Sequence, residues 1–347
     1  MRSFLRPVTG LTCLFAMAVT GCSANSDAMS DAAPAAPERT ASGTPQAVEA
    51  ATSYAPYVSA TEAADTDSAG SPTTYNLAFV ISGGSRCTPK WNGTEAITDS
   101  SVKSRITKLK QDGGTARVSF GGASGKELAT TCSSASKLAA AYADALDAAG
   151  SSQADFDIEG DTLTDSDSVA LRSEAIALLQ KERPDLEVTF TLPVMPDGLD
   201  SDGLALLESA NDHDVQVSSV NIMTMNYSES YDGDMGDYAL TSAKAVHTQL
   251  KKVFGLSDAD AWRGMALTSM IGVNDVAGET FTLSDAAQVR KFAEEKEIAW
   301  VSMWSTFRDQ QCADDDSSSD DSSSDDAATD CSGVKQSSGA FAKAFAG

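Results

Sequence analysis

Three carboxylates recur at every second position of the segment Ala154-Asp155-Phe156-Asp157-Ile158-Glu159-Gly160. Side chains alternate along an extended strand, so Asp155, Asp157 and Glu159 share one face while Phe156 and Ile158 share the other. Neighbours on that face lie about 7 Å apart at Cα, close enough for their titrations to interact. Three like charges cannot all stay ionised cheaply in a partly dry cleft, so at least one must bind its proton more tightly than usual. Glu159, nearest the C-terminal end, is the residue placed to carry a proton at neutral pH and deliver it as a general acid. An acidic surface strand is the plain alternative, but Phe156 and Ile158 mark a buried strand, where unpaired carboxylates are expensive without a function.

A strand of this kind needs a scaffold. Short apolar runs suited to strands occur at Ala55–Thr61, Tyr75–Ser82, Ala116–Gly122, Gln153–Gly160, Glu187–Val194, Ser219–Tyr227, Gly264–Gly272 and Ile298–Ser305. Helical spacing separates several of them. Ser134–Ala149 ends at Gly150, Ser168–Arg183 stops at Pro184, Tyr238–Phe254 precedes Gly255, and Leu283–Lys296 opens with Ser284 and Asp285. The link Glu62–Thr74 is too acidic and too rich in Gly and Pro for a long helix and reads as a loop. Strand and helix in alternation predict a parallel sheet with helices outside. Eight strands favour closure into a (β/α)8 TIM barrel, whose reactive groups gather at the C-terminal ends of the strands.

With that order in view, the chain resembles glycoside hydrolase family 18, whose fourth-strand signature is D-x-x-D-x-D-x-E. The matching residues are Ser152, Asp155, Asp157 and Glu159, with Ser152 departing from the first Asp. Ser119-Phe120-Gly121-Gly122 resembles the S-x-G-G that ends the third strand, and Met223-Thr224-Met225-Asn226-Tyr227 resembles the sixth-strand M-x-Y motif. Met270–Asp275 and Met303-Trp304-Ser305 are similar to the seventh- and eighth-strand segments. The resemblance runs from about Tyr54 to the C-terminus. It implies a chitinase that uses the substrate's own acetamido oxygen as nucleophile, unlike glycosidases with two catalytic carboxyls.

The resemblance also implies roles. Glu159 protonates the leaving oxygen, Asp157 orients the acetamido group, Asp155 completes the chain behind it, and the Tyr227 hydroxyl holds the acetamido oxygen. Parity places Met223, Met225 and Tyr227 on one face, and Ser302 with Trp304 on another. Trp304 is the expected flat floor for a sugar ring. Met225, Ser119 and Asn226 complete the candidate sugar site, with Ser119 better suited to supporting the carboxylates than to touching sugar. Asn226 stands where many relatives carry Asp. Trp91 beside Cys87 reads as a buried tryptophan rather than a distant subsite. Two readings compete with the chitinase: an endo-β-N-acetylglucosaminidase acting on glycans, and a non-catalytic chitin-binding lectin on the same fold.

The remaining features bound the setting. Arg2 and Arg6 precede an apolar run, Val8 to Val19, too short to span a membrane but suited to a signal peptide over 1–21. Val19-Thr20-Gly21-Cys22 resembles a lipobox, which makes Cys22 a lipidation site and anchors the exported protein at the cell surface. Residues 22–50 read as a flexible tether, and 51–347 as the catalytic domain. The formal charge of −25 repels phosphate backbones, which argues against nucleic acid but not against a neutral polysaccharide.

Cys87, Cys132, Cys312 and Cys331 remain outside the signal and anchor. Their even number favours two disulfides, and of three possible pairings Cys87–Cys132 with Cys312–Cys331 is preferred. No CxxC pair suggests zinc. The segment Ala313–Asp330 has eight Asp and no base. It lacks the glycine and terminal Glu of an EF-hand and reads as a solvated loop, so no metal is expected. His213 and His247 stand away from every motif. No cofactor is expected, and a monomer is.

Overall fold

The computed structural model describes residues 52–312 and 330–347. The proposed signal, Cys22, the tether and the acidic segment 313–329 lie outside the described residues. Eight parallel strands form the (β/α)8 barrel. The second to eighth are Thr74–Ser82, Thr115–Gly121, Gln153–Asp157, Glu187–Pro193, Ser219–Met223, Met265–Met270 and Trp300–Trp304. The first is split. Ser53–Tyr54 pairs with the eighth strand, Ser53 opposite Trp300, whereas Tyr57–Ser59 pairs with the second, Tyr57 opposite Asn76. Pro56 has no N–H to donate, so the ladder lapses between the two pieces. Its carbonyl still accepts from the Asn76 N–H at 2.9 Å. The split strand closes the ring.

Alternation then sorts the side chains. On the outer face of strands three to five, Phe120, Phe156 and Phe190 are fully buried, with ring centroids 5.3 and 5.7 Å apart along the row. Tyr142, from the helix Ala135–Ala149, meets Phe156 at 5.0 Å. Each such ring removed from water contributes about 1.5–3 kcal/mol, enough to fix which face of the fourth strand points inward. The helix itself is capped at Ser134 and ends at Gly150 in the left-handed conformation.

The helices Ser166–Glu182, Met235–Phe254 and Leu283–Lys296 occupy the expected positions. Three more of the helices are not among those expected from the sequence. Ser100–Leu109 is capped by Asp99, Ser201–Asp212 by Asp200, and Ala340–Ala346 closes the chain. In the first, Val102, Ile106 and Leu109 stand at helical spacing with Val102 and Ile106 buried, so apolar periodicity marks it as well as its cap. Residues 62–73 form no helix. Phe345 of the last helix stacks on Tyr54 instead, at 6.3 Å.

Both preferred disulfides are present. Cys87–Cys132 ties the loop after strand two to the loop after strand three, and Cys312–Cys331 closes the segment following strand eight. Trp91 is fully buried.

The third and fourth strands approach each other closely where the site begins. At Gly121, with φ +99°, a Cβ would lie 2.1 Å from the Asp157 carbonyl oxygen. Only glycine fits there. Gly121→Ala is therefore expected to destabilise the fold by about 2 kcal/mol or more. Thermal unfolding should show a midpoint lowered by several degrees; an unchanged midpoint would contradict the close approach.

Candidate active site

Inside the barrel, inward residues of the first, third and fifth strands converge on Asp155 of the fourth. This carboxylate is fully buried and accepts from Ser119 Oγ at 2.6 Å, Thr191 Oγ1 at 2.6 Å and Tyr57 Oη at 2.8 Å. Asn221 extends the chain by donating to Thr191 Oγ1 at 3.0 Å, and Thr268 donates to Asn221 at 2.9 Å. Burial pushes the Asp155 carboxyl above the usual range, while those three donors and the Arg117 guanidinium pull it back.

One repeat further along the strand the environment changes. Asp157 is also buried, yet its Oδ1 has no hydrogen-bond partner among the described residues. Burial, then the charges of Glu159 and Asp155, drive its carboxyl well above the ordinary range. Glu159 stands beyond the end of the paired strand. The ladder stops at Asp157, although the Ile158 N–H still reaches the Thr191 carbonyl at 3.0 Å. The strand is thus shorter than the sequence run Gln153–Gly160, and Glu159 rises from its end into the cleft. Its pKa is raised by burial and then by the charge of Asp275. Along one face the carboxyls pass from fully hydrogen-bonded, to buried and unpartnered, to cleft-lining.

The cleft has a volume of about 350 Å³ at the C-terminal ends of the strands. Asp157 and Glu159 line it with Tyr57, Phe79, Met225 and Trp304. The Trp304 ring lies nearly parallel to Phe79, centroids 5.5 Å apart, and meets Tyr57 edge-on at 5.9 Å. Such an apolar floor beside carboxyls of raised pKa suits a sugar, whose rings offer flat C–H faces as well as polar rims. Among the described residues, no group of three or more His, Cys, Asp or Glu side chains is arranged to hold a metal ion.

One expected contact is corrected. Tyr227 does not reach the cleft. The sixth strand ends at Met223, and Asn226 turns through a left-handed φ of +52°, so alternation no longer governs the residues beyond the strand. Tyr227 is buried beside Tyr231 and Tyr238, its hydroxyl accepting from Ser242 at 3.3 Å. Ser119, as its position in the sequence favoured, is fully buried on Asp155 and supports the carboxylate without lining the cleft. Ser152, at the variant position of the motif, lies at the strand's start, where its carbonyl accepts from Glu187.

Other residues of the site went unassigned in the sequence. Tyr57, Thr191 and Asn221 hold or extend the Asp155 network, and Phe79 enters the cleft where the register of the second strand shifts between Leu77 and Val80. The available signal was a polar residue at an inward position of an apolar strand, as at Asn221 and Thr191. A bulge leaves no comparable mark.

A (β/α)8 barrel with buried carboxyls of raised pKa above an aromatic floor presents the groups that a glycoside hydrolase would use. No protein-family model matches the chain. It is 34% identical over 286 residues to the probable bifunctional chitinase/lysozyme of Escherichia coli, covering 77% of this chain and 32% of that one. With endochitinase 11 of Metarhizium anisopliae it shares 33% identity over 290 residues, 78% of this chain and 55% of the relative. The chain thus spans about a third and about half of these two proteins. The active domain 2 of the Pyrococcus furiosus chitinase, solved with chito-oligosaccharides, aligns with a TM-score of 0.73 at 27% identity, covering 84% of this chain and 92% of that domain. The chain is thus similar in sequence to chitinases and shares its fold with solved GH18 chitinases.

Raised pKa values carry a stability consequence. Asp157 and Glu159 are protonated in both folded and unfolded chains at low pH. As pH rises past the unfolded value near about 4, the unfolded chain sheds these protons first and stability falls. Asp157→Asn and Glu159→Gln should therefore melt several degrees above the wild type at pH 7, with the gain vanishing below about pH 4. Calorimetry across that range checks the sign.

Proposed function

We propose that the protein is a chitinase cleaving β-1,4 linkages between N-acetylglucosamine units with retention, through substrate assistance. The single observation that carries this reading is the buried Asp157 carboxyl whose Oδ1 has no protein partner while it lines the cleft beside Glu159. A buried acceptor without a donor is costly, and the N–H of an acetamido group supplies the missing donor. Held in that way, the acetamido oxygen faces the anomeric carbon. Glu159 gives its proton to the glycosidic oxygen as the acetamido oxygen attacks, forming an oxazolinium ion and releasing the reducing-end sugar. The Glu159 carboxylate then takes a proton from water, which attacks the anomeric carbon from the face the leaving sugar vacated, breaks its bond to the acetamido oxygen and restores the acid. Asp155, saturated with donors, completes the hydrogen-bonded chain behind Asp157, and Trp304 with Phe79 supports the sugar ring.

The names of the relatives support this substrate class. Glu159 in the cleft sets this reading apart from a chitin-binding lectin, and product analysis sets it apart from a glycan-trimming endo-β-N-acetylglucosaminidase. We also propose export and lipidation at Cys22, carried by the lipobox-like Val19-Thr20-Gly21-Cys22. Cys22→Ser should then move the protein from the membrane to the soluble fraction of a bacterial host.

The deciding experiment is hydrolysis of a chitin tetramer. Wild type should cleave it, releasing the β-anomer first, and Glu159→Gln should lose at least about a hundredfold. Binding without cleavage by both proteins would make this a lectin. Inactivity on chitin with release of N-glycans would make it the glycan trimmer.

A further inference from the structure

Asp275 lines the same cleft as Glu159, although it stands on the loop after strand seven and has no place in the acid's hydrogen-bond network. What holds it there is Asn226, on the loop after strand six. The Asn226 amide donates from Nδ2 to Asp275 Oδ2 at 3.2 Å, and its Oδ1 accepts the Asp275 N–H at 3.0 Å and the Val276 N–H at 3.3 Å. The Asn226 N–H in turn donates to Asn274 Oδ1 at 3.4 Å. An amide is the side chain that makes this set. It offers a donor to the carboxylate and an acceptor to the backbone N–H of the same residue. A carboxylate at 226 has no donor and sets a second negative charge against Asp275.

We propose that Asn226 is a positioning residue that clamps the Asp275 carboxylate in the cleft that Glu159 lines, where its charge acts on the acid. The inference rests on the reading of Glu159 as the general acid. The other charged and titratable groups here are Asp157 on the fourth strand, Asp200 on the cleft wall, Tyr57 from the first strand and, against Asp275, Arg308. Arg308 is buried and donates to the Ile271 and Val273 carbonyls at 3.0 and 2.6 Å, bracing the base of the loop. Behind Asn226, the Glu279 carboxylate accepts the Ser228 N–H at 3.0 Å. No hydrogen bond among the described residues ties Asp157 or Asp200 to Asn226 or Asp275, so the effect of Asp275 separates from theirs. The charge of Asp275 ranks directly after burial in raising Glu159, consistent with the geometry.

Three proteins test the proposal: wild type, Asp275→Asn and Asn226→Gly. The first variant removes the charge but keeps an acceptor for Asn226. The second removes the clamp at a left-handed position that glycine tolerates. Two readouts run in parallel: the pH profile of kcat/KM on a chitin tetramer, and the titration of the Glu159 carboxyl followed by carbon-13 NMR. Asp275→Asn should move the alkaline limb and the Glu159 titration to lower pH by about half a unit or more. Asn226→Gly should move both in the same direction, and the double variant should add little to Asp275→Asn, because the two act through one charge. A titration that moves in a protein that cleaves no chitin supports the clamp and overturns only the substrate reading. A uniform drop in kcat/KM, with limb and titration unmoved, in folded Asn226→Gly overturns the clamp and leaves Asn226 a loop-shaping residue. An unmoved titration in Asp275→Asn overturns it as well.

Discussion

A carboxylate at the centre of a barrel, with no water to solvate it, must find every donor it needs among side chains that the strands deliver. Asp155 sets that constraint. Its donors come from the first, third and fifth strands, and each must stand at an inward position and at the right height. The cost of leaving such a group unpaired is several times the net gain of an average hydrogen bond. The network therefore specifies register as well as filling space. A slip of one residue in the third strand would turn Ser119 outward and bring in Val118 or Phe120. The reactive end of the strand depends on this anchor, because Asp157 and Glu159 are placed by the same backbone two and four residues further on.

Closure of the barrel serves the same constraint. Tyr57 reaches Asp155 only because the first strand bridges the second and the eighth, which it does in two pieces around Pro56. In an open sheet that strand would lie at an edge, and Tyr57 would have no route to the fourth strand. The tyrosine joins both levels of the site. Its hydroxyl serves the anchor, and its ring meets Phe79 at 6.2 Å and Trp304 at 5.9 Å, at the floor of the cleft. A rigid polar interior and an apolar sugar platform are thus built from one side chain.

The legible part of the sequence was the part governed by alternation. Eight strands, the inward carboxyls, Trp304 on the eighth strand and the aromatic row outside all follow from period two, and family motifs fixed their order. Legibility ends where period two ends. Tyr227 shares its parity with Met223 and Met225 only while the strand continues, and it stops at Met223. The left-handed turn at Asn226 then sends the ring back under the loop toward Ser242. Tyr57 and Asn221 escaped for another reason. A tyrosine or asparagine in an apolar strand is visible, but its partner lies 98 or 30 residues away, and spacing along a chain does not report that.

Beyond the strand ends, order must come from something other than the ladder. The loops after strands six and seven show what replaces it. Asn274 spans its own turn by donating to the Met270 and Gly272 carbonyls at 2.9 and 3.1 Å, and Glu279 accepts the Ser228 N–H from the neighbouring loop. Asparagine and glutamate perform this role because a side-chain amide or carboxylate can satisfy backbone groups that a turn leaves unpaired. These residues are polar, irregularly spaced and partly or wholly buried, so they resemble ordinary loop composition until their partners are seen. Polar side chains thus hold the cleft at two levels: in the barrel interior they satisfy a buried charge, and at its rim they satisfy backbone that the sheet has released.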